Sequence, residues 1–564
     1  MQHYNSTVSF FPFNMPAQQR TTIMLKRFFL IAMVLLFAVP AATAETLKPP
    51  NIVVIIVDDM GFSDLGCYGG EIETPNLDRL AANGLRFTQF YNTARCWPTR
   101  SALMSGYYPQ QIRMDPIKRG AKLPNWAALL PHHLKPLGYR SYHSGKWHVN
   151  GAPKVVADGG FDRSYHLTDH DRFFNPQRHE NDDQPLPPVE PGSGYYGTTA
   201  VADYTLRHLD EHTEKYADKP FFVYTAFLAP HFPLHALPED IEKYRDKYLP
   251  GWDVIRTQRH ERQKQAGIVS CALSVREETS GPPYRFENVP GTLGSGEVLF
   301  PVAWETLTDE QKRFQATKMA IHAAMIDRVD QEVGRILDKI RQMGAWDDTI
   351  LFFLSDNGAS AEIMIRGDMH DPSAPLGSAA SYLCLGPGWA TAANTPFRRH
   401  KVWNHEGGIT TPLIVHWPKG IKKPGTLRHD PGHVIDLAPT ILDFLGVAPP
   451  KEYQGESVPP FPGVSLFPAI RGDDRPVERD YVFFAHEGNA ALRFGDWKVL
   501  YTKTGEPREH PPVEGNSGTA GWSLYDLTND RCEQNDLASR NSEKLLEGVE
   551  RWRRLNESFR KQAE

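Results

Sequence analysis

Asn51-Ile52-Val53-Val54-Ile55-Ile56-Val57-Asp58-Asp59 opens with six β-branched residues in its first seven and closes on two adjacent carboxylates. Such a run offers no polar face to water, so it suits a strand buried on both sides within a parallel sheet. Phe221 to Phe227, Ile350 to Leu354 and Leu413 to Trp417 read the same way. Helical patterns lie between them. The clearest starts at Thr308, which forms a capping box with Gln311. It continues through Ala316, Met319, Ala320, Ala323, Ile326, Val333, Ile336, Leu337 and Ile340 at helical spacing. Buried strands alternating with helices imply an α/β fold with a doubly wound, mostly parallel sheet.

Past about Gly446 the chain changes character. Pro449-Pro450, Pro459-Pro460 and Pro462 form a turn-rich connection, followed by short strand-like runs at Ala490 to Tyr501 and Trp522 to Leu527. An amphipathic helix with Leu545, Val549, Trp552, Leu555 and Phe559 on one face comes last. This pattern predicts a main domain over residues 50–447 and a smaller C-terminal α+β domain over residues 448–564, with an antiparallel sheet. No internal repeat is visible. Residues 162–191, 261–301 and 366–396 read as long loops that shape substrate access. Trp389 in the last of these is a packing residue or a platform for a sugar or aryl ring.

Upstream, Met24-Leu25-Lys26-Arg27 is a short basic region, Phe28 to Val39 an apolar core, and Ala42-Thr43-Ala44 a small-residue cleavage site. Residues 1–44 therefore read as a signal peptide, with Met24 a candidate true start and an uncut anchor the alternative. No other stretch is apolar enough to span a bilayer. An exported chain, periplasmic or extracellular, with no stable span after cleavage is expected. The net charge of -6 over 564 residues gives no nucleic-acid footprint, so an anionic substrate must be held by a local pocket. Five cysteines without a C-x-x-C pair allow one disulfide but no disulfide scaffold, and the odd count leaves one thiol to be explained.

Asp58 and Asp59 follow the first strand, where ligands bind in open α/β sheets; capping a turn is the alternative use of one of them. Leu354-Ser355-Asp356-Asn357-Gly358 repeats the arrangement, although Asn-Gly by itself also signals a tight turn. Three carboxylates and an amide oxygen at strand ends form a hard, all-oxygen set that suits Ca²⁺ or Mg²⁺ rather than zinc.

Cys96-Trp97-Pro98-Thr99-Arg100-Ser101-Ala102-Leu103-Met104-Ser105-Gly106 resembles the sulfatase signature C-x-P-x-R followed by a leucine and a small-residue-glycine step. Thr99 and Ser105 are mild departures from the family's usual residues. The resemblance runs from Asn51 to about Gly446 and implies an alkaline-phosphatase-like fold. It also implies that a formylglycine-generating maturation enzyme oxidises Cys96 to formylglycine. The hydrate of that aldehyde would attack the sulfur of an ester in line and later eliminate sulfate, an exit that serine lacks. Asp58, Asp59, Asp356 and Asn357, together with the modified Cys96, match the family's calcium ligands. Gly145-Lys146-Trp147-His148 matches the element whose Lys contacts sulfate and whose His contacts the formylglycine hydroxyl. Ala229-Pro230-His231-Phe232-Pro233 matches the segment whose His protonates the leaving group, and Lys401 to Gly408 matches K-x4-E-G-G, whose Lys contacts sulfate and bridging oxygen. Arg100 would stabilise the formylglycine. Taken singly, each Lys reads as a solvated surface charge and each His as a hydrogen-bonded structural residue.

The resemblance implies hydrolysis of sulfuric monoesters, either aryl sulfates or sulfated carbohydrates, at one bound Ca²⁺. Two rivals stand beside it: a phosphate or phosphonate monoester hydrolase on the same fold, and a non-catalytic protein that binds sulfated glycans.

Overall fold

The computed structural model describes residues 49–116, 120–286, 288–503 and 518–564. The signal-peptide reading of residues 1–44 lies outside the described residues. Residues 49–564 form one compact unit, and no described helix is long and apolar enough to cross a membrane.

The elements that position the site are, in chain order, β1 (Asn51–Val57), β2 (Leu85–Tyr91), α1 (Cys96–Ser105), β3 (Arg140–Gly145), β4 (Arg163–Leu167), β5 (His179–Asn181), β6 (Gln184–Pro185), α2 (Gly197–Lys215), β7 (Phe221–Ala226), α3 (Trp252–Gln265), α4 (Asp309–Gln342), β8 (Thr349–Ser355), β9 (Thr410–His416) and β10 (Thr426–Arg428). The sheet runs β10-β2-β9-β8-β1-β7-β3-β4-β5-β6. Its centre, β8-β1-β7-β3-β4, is parallel throughout. All seven residues of β1 are buried, and they alternate between two cores. Val53, Ile55 and Val57 pack with α2 and α4, whereas Ile52, Val54 and Ile56 pack on the opposite face. The uninterrupted apolar run is thus the signature of a middle layer.

One expectation needs correction. The 413–417 run looks like its parallel neighbours, yet β9 is antiparallel to both β8 and β2. Burial on both faces erases the alternation that would have distinguished the two directions. The 162–191, 261–301 and 366–396 stretches are also not wholly loop: the first carries β4, β5 and β6, α3 extends to Gln265, and short helices span Val289–Leu293 and Pro387–Ala393. Trp389 is a packing residue. It is fully buried against Trp252, Trp304 and Tyr248, and its Nε1–H donates to Gln315 O at 2.7 Å. The capping box at α4 forms as expected: Gln311 N–H donates to Thr308 Oγ1 and Thr308 N–H to Gln311 Oε1.

The C-terminal sheet is β11 (Val482–His486), β12 (Asn489–Phe494), β13 (Trp497–Tyr501) and β14 (Trp522–Asp526), antiparallel in that order, with α5 (Ser542–Ala563) on one face. The Ala490 to Tyr501 run is two strands hinged at Gly495, and β11 was not anticipated. The other face of this sheet packs Val482, Phe484, Ala491 and Leu500 against Tyr91, Ala94 and Ile409, just behind the residues described next. A fully buried charge network seals that contact. Lys498 on β13 bridges Glu406 (3.0 Å) and Glu533 (2.6 Å), while Tyr91 OH and Thr410 Oγ1 donate to Glu406.

Burial holds the imidazoles of His166, His208, His235 and His400 down to about 4. These folded values lie below the ordinary one, so between about pH 6.5 and 4 the unfolded chain binds more protons and stability falls as pH falls. Each such group loses about 1–2 kcal/mol between about pH 7 and 5. We expect the thermal midpoint to drop by about 5 °C or more over that interval. A midpoint flat across a buffer series would mean that these rings already carry charge in the folded protein.

Candidate active site

Four parallel neighbours end at the same edge of the sheet. Val57 pairs with Ser355, Ile56 with both Leu354 and Ala226, and Ala226 with Gly145. The residues that follow, Asp58-Asp59, Asp356-Asn357, Ala229 to His231 and Lys146 to His148, therefore emerge side by side. The reversed strand completes the set. Because β9 runs the other way, the segment entering it starts at this edge and delivers Lys401.

Cys96 is the first residue of α1 and Arg100 lies one turn further along the same face. Both are buried. The free amides at the helix start favour an anion beside Cys96. Trp147, between Lys146 and His148, points into the core and donates to Ala152 O, so its two neighbours face the site. Gly145 is required here: at φ 110° an added Cβ would stand 2.0 Å from Ala226 O. Gly408 is fixed similarly by Trp403 O, which a Cβ would meet at 2.0 Å. Asp59 (φ 67°), His148 (φ 55°) and Val402 (φ 84°) hold left-handed backbone that side-chain-bearing residues rarely adopt. Each costs of order 1–3 kcal/mol, and such positions cluster where function over-determines geometry.

The side chains form one connected cluster. Arg100 Nε and Nη2 both reach Asp356 Oδ2 at 2.8 Å, and Nη1–H donates to Lys146 O at 2.8 Å. Lys146 Nζ donates to Asp58 Oδ2. Asn357 Nδ2–H donates to Asp59 Oδ1 at 2.6 Å. Lys401 Nζ lies 2.9 Å from Asp59 Oδ2, and His231 Nε2 lies 3.8 Å from the same oxygen. The structure thus brings together Asp58, Asp59, Arg100, Lys146, His231, Asp356, Asn357 and Lys401, with Cys96 within electrostatic reach of Lys146, Asp58, Lys401 and Asp356. His148 lies beside Trp97 and feels Lys146 and Arg100.

Electrostatics divides the carboxylates. Burial pushes Asp58 up, but Lys146, Arg100 and Lys401 more than reverse this and hold it well below the ordinary range. Asp59 is raised by burial, with Lys401 opposing and Asp58 and Glu362 adding to the rise. Asp356 is pushed up to about 7 by burial and by Asp58, against Arg100. Burial raises the Cys96 thiol. It also holds His231 and His148 well below their ordinary value, with nearby lysines pushing the same way.

Two buried oxygens here, Asp58 Oδ1 and Asn357 Oδ1, have no hydrogen-bond partner. They belong to a hard-donor set in which burial and neighbouring carboxylates raise two of the carboxyl groups, and this fits a divalent cation. Among the described residues, the His, Cys, Asp and Glu side chains able to converge on one ion are Asp58, Asp59 and His231. His231 Nε2 stands 3.8 Å from Asp59 Oδ2, the oxygen that Lys401 also contacts, and Asp58, Asp59, Asp356 and Asn357 are the all-oxygen set that could hold such an ion.

Sequence reasoning missed two residues. Glu362 is buried 2.9 Å from Lys401 Nζ and 3.2 Å from Arg95 Nη2, and Lys401 and Arg95 hold its carboxyl well below the usual range. Its one sequence signal is its place six residues beyond Asp356 on the same strand-end loop. His170 lies 5.3 Å, ring to ring, from His148, in a segment with no readable pattern.

A sulfatase family model matches residues 50–447. An uncharacterized sulfatase of Schizosaccharomyces pombe is 32% identical over 551 residues, covering 90% of this chain and 93% of the relative. An arylsulfatase of Klebsiella aerogenes is 31% identical over 471 residues, covering 77% and 94%. The solved structure of Ps i-CgsB in complex with k-i-k-neocarrahexaose shares the fold at a TM-score of 0.62 and 22% identity, covering 92% of this chain and 94% of the other. The architecture and these relatives define the class: a sulfuric ester hydrolase on an alkaline-phosphatase-like fold. The chain belongs to the sulfatase family.

Proposed function

We propose that this enzyme is exported and hydrolyses a sulfuric monoester, an aryl sulfate or a sulfated carbohydrate, to the free alcohol or phenol and sulfate. In this reading a formylglycine-generating enzyme has converted Cys96 to formylglycine, and Asp58, Asp59, Asp356, Asn357 and the modified residue 96 hold one Ca²⁺. The observation that carries the proposal is the pairing at the two ends of the acidic cluster, Lys146 and Arg100 at Asp58 and Lys401 and His231 at Asp59, around a buried Cys96. When bound, the cation supplies Lewis-acid polarisation of the sulfuryl oxygens and acidifies a hydroxyl of the hydrated formylglycine.

The chain's own side chains supply the rest. Lys146 and Lys401 stand on opposite sides of the cluster, where their ammonium groups meet the peripheral oxygens on which sulfuryl charge resides. Arg100, locked to Asp356 and to Lys146 O, fixes the helix start that carries residue 96. His148 Nδ1 is buried without a partner and can exchange a proton with the residue-96 hydroxyl. His231, beside Lys401, is held neutral by burial; the negative charge of a bound sulfate ester would favour its protonated form, which would then protonate the departing oxygen. Every one of these groups is buried or half-buried, so their charges act through a medium less polar than bulk water.

Peptide mass spectrometry across Cys96, on protein from a host that has the maturation enzyme, tests the reading. A loss of about 18 Da, thiol becoming aldehyde, is expected, along with faster turnover of an aryl sulfate than of the matched aryl phosphate. An unmodified thiol, in a host that matures other such proteins, overturns the nucleophile. Preference for the phosphate ester would move the enzyme to the phosphate or phosphonate hydrolases of this fold.

The ligand assignment has its own test. Asp356→Ala should weaken Ca²⁺ binding by about 100-fold or more, read by titration calorimetry. This change also strips Arg100 of its partner, so Asp356→Asn, which keeps shape and packing, should show the same loss in a folded protein. Wild-type affinity in the Asn variant would remove Asp356 from the ligand set.

A further inference from the structure

Cys271 and Cys532 are 261 positions apart in sequence, yet their Sγ atoms lie 2.7 Å apart and both residues are buried. Each sits on a firmly anchored segment. Cys271 O accepts from His260 Nε2–H at 2.8 Å, Arg256 Nη2–H donates to Ser274 O at 2.8 Å, and Ser274 N–H donates to Pro396 O. On the other side, Glu533 is bridged to Lys498, and its carbonyl accepts from Arg398 Nη1–H. The two segments meet again where Val275 N–H donates to Gln534 Oε1 at 3.1 Å.

The loop beyond Cys271 reaches the active site. Glu277 clamps Arg398 (2.7 Å) and Arg399 (2.8 Å), and Tyr284 OH accepts from Arg95 Nη1–H at 3.0 Å, next to Cys96. Neither thiol has another task. Cys96 is set apart at the start of α1, Cys384 Sγ–H donates to Met364 O, and no metal-ligating group among the described residues includes Cys271 or Cys532.

We propose that Cys271 and Cys532 form a disulfide in the mature protein, which fastens the Tyr284 loop to the C-terminal segment. The oxidant is a disulfide, either of a thiol oxidoreductase or of a small molecule such as oxidised glutathione. One cysteine thiolate attacks it and expels one thiol, giving a mixed disulfide. The second thiolate then displaces the other thiol. One S–S bond forms as one breaks, and two electrons and two protons leave with the reduced oxidant. The contacts above hold the two segments in register with the sulfurs already facing each other.

The test uses full-length protein secreted into an oxidising compartment, denatured and alkylated with iodoacetamide before and after reduction, then digested. We expect the 271 and 532 peptides to be linked and unlabelled before reduction, and both labelled afterwards. Reduction should lower the wild-type thermal midpoint by about 5 °C or more. A C271A/C532A variant should not respond to reductant. If both thiols label without reductant, in secreted protein and in protein refolded with oxidised glutathione, the proposal is overturned. It is equally overturned if reductant shifts the double variant as much as the wild type. Neither result bears on Cys96.

Discussion

Cys96→Ala is expected to lower turnover of an aryl sulfate by about 10,000-fold or more while leaving the fold intact. The side chain is 4% exposed and makes no hydrogen bond that holds α1 in place, so losing its sulfur leaves only a small gap. What disappears is the thiol whose oxidation would turn Cβ into the aldehyde carbon. Steady-state kinetics with circular dichroism and a melting curve would read both halves of the expectation. Activity within about tenfold of wild type would remove Cys96 from the chemistry. Cys96→Ser sharpens the test. A serine ester has no second hydroxyl through which to expel sulfate, so that variant should trap one equivalent and gain about 80 Da. Continued turnover by the serine variant would mean that water, and not internal elimination, breaks the adduct.

His231→Ala should separate substrates by leaving group. For an alkyl sulfate, whose alcohol leaves only when protonated, kcat should fall by about 100- to 10,000-fold. For 4-nitrophenyl sulfate, whose phenolate leaves unaided, the fall should stay within about tenfold. The position supports this role: His231 Nε2 and Lys401 Nζ face the same oxygen of Asp59, at the end of the cluster away from Arg100. Equal losses on both esters would reduce His231 to a positioning residue, with Lys401 the remaining candidate acid.

The sequence disclosed the parts of this site that are local and hid those that depend on chain direction. Asp58-Asp59 and Asp356-Asn357 were legible because each pair directly follows a buried apolar run, and in a parallel sheet such ends share one edge. Cys96, Arg100, Lys146, His148, His231 and Lys401 were singled out by resemblance alone, and the structure places them in or beside this cluster. The reversal of β9 was not legible, since a strand buried on both faces carries no mark of its direction, although that reversal is what brings Lys401 to the edge. Glu362 was hidden for a related reason: a single carboxylate in a loop has no periodicity, and only its contacts with Lys401 and Arg95 give it meaning. Trp389 shows the converse case. An aromatic residue in a long loop invited a ligand-stacking reading, and the burial of its ring decided for packing.

The Lys498 network sets a rule for recombining this enzyme with its relatives. A graft that exchanges the C-terminal sheet but drops the lysine would leave buried Glu533 without its cation and Glu406 with only the longer cation contact to Arg531 (3.5 Å), a defect of about 3–5 kcal/mol. Such a graft would fail through misassembly next to Tyr91 and Ile409 before any change of specificity could be observed. Residues 406, 498 and 533 are therefore best inherited together, as a unit of exchange that cuts across the visible boundary between the large sheet and the small one.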